Sequence, residues 1–383
     1  MRERERERER AVTPNKPRDS NLELLRILSM FMIIAHHYSY HGGFTLTDSA
    51  LTINKIIVQF LSLGGKIGVI CFILITGYFM ISSGFKFKKL LKLILEVLVY
   101  SIGIMLIFYL LGLAEFNFKD MVRCVLPISH SLYWFVTTYV VLYILSPFIN
   151  KFIKACNQKE HLAIITVLLL LASILPTFLL GSLGIGNVGL FILFYIIAAY
   201  IRLYPTSMKG TFNSINTAIF LTVLSFGLLV LSVLLFDIMG LIVPIISQHA
   251  TYFMNLSSPL AVLCAVSLFL LFKNLQIGEN KFINRIALSM FGVYLIHDNL
   301  FVRPFLWNQL FQNAAYFDSA FLILHAVIAI IITFIICVII DQIRIVCIEK
   351  PLFHLIDHIE IRHENTINHA KESVKRVVNR YIL

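Results

Sequence analysis

Ten stretches of about twenty mostly apolar residues, separated by short loops, leave this chain few ways to fold. They run roughly over 21–41, 56–82, 90–113, 131–149, 162–180, 187–203, 214–236, 250–273, 284–302 and 319–346. Each is long enough to cross a bilayer core as a helix. Inside a bilayer every backbone polar group must be satisfied within the segment, so continuous apolar runs of this length read as helices. The expected fold is therefore all-α, a polytopic membrane protein with about ten transmembrane helices. Composition agrees: 58% of the 383 residues are hydrophobic and 14% are charged, against about 25% charged in soluble domains.

The loops orient the chain. Lys86, Lys88, Lys89 and Lys92 lie between the second and third runs, and Lys151, Lys154 and Lys159 between the fourth and fifth. Arg202 and Lys209 follow the sixth, and Lys273, Lys281 and Arg285 the eighth. The intervening loops hold little positive charge: Lys119 and Arg123 in one, Arg303 in another, and none in 181–186 or 237–249. The positive-inside rule then places both termini in the cytoplasm, with Arg26 toward the cytoplasmic side and His37 toward the outer side. The net charge of +11 is explained by these loops, so lipid rather than nucleic acid is the expected partner. Six cysteines without a CxxC pair indicate neither a disulfide framework nor a metal site.

Residues 1–20 open with alternating Arg and Glu and have nothing to bury, which predicts a disordered or solvated segment. Beyond Pro351, Val374, Val377, Val378 and Tyr381 recur at helical spacing among Lys371, Lys375, Arg376 and Arg380. That pattern predicts an amphipathic cytoplasmic tail over 353–383, resting on the anionic inner leaflet. His354 and His358 stand four apart, but no third ligand is in view, and a solvated face is the simpler reading.

Polar groups inside the runs carry the chemistry, because they are costly there. Ile27 to Ala35 contains only Ser29 as a polar residue; Arg26 precedes it, and His36 and His37 close it. Eleven residues separate Arg26 from His37, about three turns, so the two share a face of one helix about 16 Å apart along its axis. His36 is turned about 100° from that face, which suits packing or interfacial anchoring. The competing reading is a snorkelling arginine at one membrane edge and interfacial histidines at the other. In the second run, Gly64, Gly65, Gly68 and Gly77 allow close helix approach, and Lys66 would snorkel outward. In the fourth, Tyr133 and Trp134 sit where an outer aromatic belt would lie, and Pro147 is expected to end the helix. His297 and Asp298 close the ninth run; the acid could orient the histidine, or both could mark the membrane boundary.

Taken in order, NLELLR followed by HHYSYH, GVICFILITGYFM, YWFVTTYVVLYILSPFIN and FGVYLIHDN resemble the acyltransferase 3 family of bacterial membrane proteins, over about residues 20 to 352. The resemblance implies a membrane acyltransferase domain over 21–352 in the bacterial cytoplasmic membrane. It also implies transfer of an acyl group, acetyl above all, from cytoplasmic acetyl-CoA to a hydroxyl of an envelope glycan or lipid-linked sugar. The family's Arg, ten residues, then His falls on Arg26 and His37. Where members often carry a pair of arginines after the second span, this chain has lysines, and these can bind phosphate only as point charges.

On that reading His37 is the catalytic base that takes the acceptor's proton. Lys86, Lys88 and Lys89 hold the donor's phosphates, and Arg26, steadied by Glu23, lines the path of its pantetheine arm. Trp134, His297 and Asp298 lie on the acceptor side. No metal is called for. The alternative is a transporter or flippase exporting a polysaccharide or lipid-linked sugar. It would favour internal repeats and paired broken helices, and no repeat is visible. A scaffold subunit would leave the Arg and His on one buried face without a purpose.

Overall fold

The computed structural model describes residues 20–46, 51–179, 181, 183–205 and 214–352. The segments expected to be disordered (1–20) and amphipathic (353–383) lie outside the described residues, apart from Ser20. So do His354, His358 and Lys209.

Among the described residues the protein is all-helical. In chain order the main helices are α1 (Asn21–Tyr40), α2 (Ile53–Ser83), α3 (Phe87–Leu110), α4 (Phe118–Val125), α5 (Trp134–Ala155) and α6 (Gln158–Phe178). They continue with α7 (Gly186–Leu203), α8 (Ile215–Gly240), α9 (Pro259–Asn274), α10 (Lys281–Ala287), α11 (Met290–His297) and α12 (Leu322–Arg344). Eight helical segments of the described residues are long and apolar enough to cross a membrane, so the chain is a polytopic membrane protein.

Two of the ten expected spans are not among those eight. The first is a continuous twenty-residue helix, α1, but Glu23, Arg26, His36 and His37 dilute its apolar character. It makes up for this by burial, packing against α2, α9, α10, α11 and α12. The ninth is not one helix. It breaks into α10 and α11 at Leu288 and Ser289, where the Ser289 N–H bonds to the Ile286 carbonyl three residues back. The Ser289 hydroxyl there accepts from the Gln342 side chain of α12.

Pro147 accounts for a further departure from expectation. Helix α5 does not end at Pro147 but runs on to Ala155. A proline inside a helix leaves the carbonyl four residues earlier without its donor, and here the Ser146 hydroxyl donates to the Tyr143 carbonyl at 2.7 Å. Local side-chain donors are how membrane helices tolerate proline. Helix α6 meets Pro176 with a π-turn over Leu170–Ile174. Pro259 stands at the first turn of α9, where a missing N–H costs nothing.

The glycines of α2 do bring helices together. A Cβ on Gly68 would sit 2.6 Å from the Ser29 carbonyl of α1, and one on Gly64 2.8 Å from Met32 Cβ. Gly65 lies directly against the His36 ring, and Gly77 against the α7 backbone at Tyr195. Helix α2 is accordingly the bundle's interior, with 67% of its apolar window buried, whereas α8, at 17%, faces outward.

Candidate active site

The N-terminus of α1 is sewn to the α9–α10 connection. The Asn21 amide donates to the carbonyls of Lys273 and Leu275, and the Ser20 hydroxyl to Asn284 Oδ1 at 2.9 Å. With α2 pressed on its other side, α1 is held along its length. The polar face that results borders a cavity of about 320 Å³ between α1, α2, α3, α5, α10 and α11.

Arg26, His36 and His37 of α1 all line this cavity, as do Lys89 and Lys92 of α3 and Trp134 of α5. The Arg26 guanidinium lies 3.3 Å from the buried Glu23 carboxylate, the i,i+3 pairing expected from their spacing. The cavity therefore follows α1 from its charged end to its histidine end. Of the three lysines expected to hold the donor, Lys89 lines the cavity, while Lys86 and Lys88 are exposed beside it. The Lys86 backbone is tied to the Tyr143 hydroxyl of α5. Lys92, one of the lysines that stand where the family carries arginines, joins Lys89 at the lining and pairs with Glu349.

The histidine end has a determinate hydrogen-bond order. His297 Nδ1 is 2.6 Å from the Val293 carbonyl, which can only accept, so Nδ1 carries the proton. Neutral His297 then offers Nε2 as an acceptor, and His37 Nδ1 lies 2.9 Å from it. His37 must donate there, which leaves its own Nε2 unprotonated. The main chain of α11, through one imidazole, thus selects the tautomer of the histidine on α1. His36 is fixed similarly: its Nδ1 bonds to the Ser62 carbonyl at 2.9 Å. It also borders the cavity, against the expectation that it turns away, because the cavity is wider than one helix face.

Asp298 does not orient His297. Its Oδ1 lies 3.3 Å from Arg303 Nη1, 3.8 Å from His41 Nε2 and 3.9 Å from His37 Nδ1, so the arginine is the nearest of these three. His37, His41 and Asp298 offer ligand atoms within 4.8 Å of one another, the donor types of a divalent-cation site. His37 Nδ1 is already engaged with His297, however, and Asp298 with Arg303.

The aromatic pair of α5 does not form a membrane belt. Tyr133 is buried, donates to the Leu295 carbonyl at 3.0 Å and accepts from Asn299, tying α5 to α11. Trp134 turns to the cavity, where Lys66 Nζ stands 5.2 Å from its ring centre. Lys66 therefore does not snorkel outward; it lines the cavity beside the histidines. Behind the Lys92 end, Arg344 of α12 bonds Glu96, Asp341 and Glu349 at 2.9, 2.8 and 2.7 Å, and Glu96 also lines the cavity. Sequence reading missed this cluster, since Glu96 lies 248 residues from Arg344.

A family model described as an acyltransferase domain matches residues 19–342. The chain belongs to the acyltransferase 3 family. The match takes in α1 and α11 entire, and so both partners of the His37–His297 bond. No curated protein and no solved structure matches the chain.

Proposed function

We propose that this membrane acyltransferase moves an acetyl group from cytoplasmic acetyl-CoA to a hydroxyl of an envelope glycan or lipid-linked sugar, at the bacterial cytoplasmic membrane. The observation that carries this reading is one cavity bordered by lysines and Arg26 along one part and by an Nε2-unprotonated His37 along another. A thioester donor with a phosphate-bearing end needs those two chemistries at a distance. Lys89 and Lys92 supply point charges suited to phosphate, and Arg26 lines the route between. His37 Nε2 takes the acceptor hydroxyl's proton, a contribution of about 100- to 10,000-fold for a well-placed base. His297 is a positioning residue: it holds that nitrogen free of a proton.

An exporter of the same glycan would share the broken ninth span, but it would leave the histidine pair without a use. The test is the purified protein in detergent, without any gradient or closed compartment. It should bind acetyl-CoA and release CoA thiol in step with acetylation of an added envelope-glycan fraction. Folded protein with no acetyl-CoA binding at low salt contradicts the proposal.

A further inference from the structure

Arg26 and His37 cannot act on the same atom. They lie about 16 Å apart along α1, so a reaction at His37 needs a different cation to meet the charge that develops on the thioester oxygen. Such charge is where preorganised electrostatics matter most.

Lys66 is the cation at that end. It lines the cavity with His36 and His37, and neighbouring Gly65 lies against the His36 ring. Its position is held by the Trp134 face, 5.2 Å from Nζ, a contact that orients an ammonium without neutralising it. Its lack of an ion pair sets it apart. Arg26, Lys55, Arg303 and Arg344, also buried or half-buried, each pair with a carboxylate. Lys66 forms no ion pair among the described residues; Asp298 attracts it only at longer range and is shared with Arg303. An ammonium inside an apolar bundle without a close carboxylate is costly to keep charged, so an anion that forms beside it gains a strong partner.

We infer that Lys66 is a catalytic residue that stabilises the oxyanion of the tetrahedral intermediate in acyl transfer. The inference rests on the proposed function. The acceptor oxygen bonds to the carbonyl carbon while its proton passes to His37 Nε2. The carbonyl π pair moves onto oxygen, opposite the Lys66 ammonium. When the intermediate collapses, that pair re-forms the carbonyl, the carbon–sulfur bond breaks, and the leaving thiolate takes the proton from His37. The products are the acyl ester and the free CoA thiol.

The experiment uses full-length protein in detergent with acetyl-CoA as the probe and water as the acceptor. Thiol release is followed together with the acetyl-CoA Kd. Lys66→Met, which matches the side chain's length without its charge, should cut kcat about 100- to 1,000-fold, the range for losing one oxyanion donor. Its Kd should stay within about threefold, and Lys66→Arg, which keeps the charge, should recover at least part of kcat. Lys66→Met with kcat close to wild type, or with the loss carried by Kd, overturns the assignment. Wild-type protein that binds acetyl-CoA yet never cleaves it also counts against it, since water in that cavity would attack the same stabilised carbonyl. If wild-type protein binds no acetyl-CoA, the proposed function itself fails, and this assignment with it.

Discussion

His37 Nδ1 and His297 Nε2, on helices 260 residues apart in sequence, lie 2.9 Å apart, and the Val293 carbonyl behind His297 sets the direction of their bond. A backbone acceptor does here what a carboxylate does in the familiar triads. The nearest carboxylate, Asp298, stands 3.9 Å from His37 Nδ1 and is nearer to Arg303.

That relay makes a specific prediction for His297. His297→Ala should cost about 10- to 1,000-fold in acetyl transfer, the kind of loss expected when a base loses the partner that fixes its tautomer. His297→Gln, whose amide oxygen can accept from His37 Nδ1, should recover a measurable part. Binding of acetyl-CoA should survive both changes. Equal activity of the Ala and Gln variants would show that the partner's acceptor is not what matters.

The packing of α1 on α2 yields a second prediction. Gly68→Leu places a side chain where a single Cβ would already lie 2.6 Å from the Ser29 carbonyl, so the helices must separate. Melting temperature in detergent should fall and activity should be lost. Gly103→Leu, where a Cβ meets nothing within 4 Å, should leave both near wild type. A harmless Gly68→Leu would contradict the observed closeness of the two helices.

Lys55 of α2 and Asp237 of α8 form a buried pair 2.9 Å apart. Removing one partner strands the other, which typically costs about 3–5 kcal/mol. Lys55→Met alone should therefore destabilise strongly, and Lys55→Met with Asp237→Leu should recover much of the loss. Chemical denaturation in detergent reads the difference. A double variant no better than the single would mean that the pair is not energetically coupled.

Orientation is tested separately. Lys88 and Lys154 are exposed at the helix ends, where clustered positive charge predicts a cytoplasmic location. In a cysteine-free background, Lys88→Cys and Lys154→Cys should resist an impermeant thiol reagent applied to intact cells and react after permeabilisation. Labelling of both in intact cells would reverse the donor and acceptor sides.

The all-α membrane architecture was legible because the bilayer demands long apolar runs. The pairing of Arg26 and His37 along one helix was legible because helical period alone decides it. Three things were not. The break at Leu288 and Ser289 is met by Gln342 of α12, a tertiary contact. The passage of α5 through Pro147 depends on a local hydroxyl, Ser146, that periodicity does not weigh. Lys66 looked like a snorkelling side chain because its sequence neighbours do not reveal that Trp134 and the histidines face it. The role of His297 was half visible: its proximity to Asp298 suggested a carboxylate partner, and the structure supplies a carbonyl instead.

His37 Nε2, and not the neighbouring His36, is the proposed base. The most direct measurement compares His36→Ala and His37→Ala for acetyl transfer from acetyl-CoA at matched amounts of folded protein. His37→Ala should lose transfer while still binding acetyl-CoA, and His36→Ala should keep a substantial fraction. An inactive His36→Ala beside an active His37→Ala would contradict this assignment.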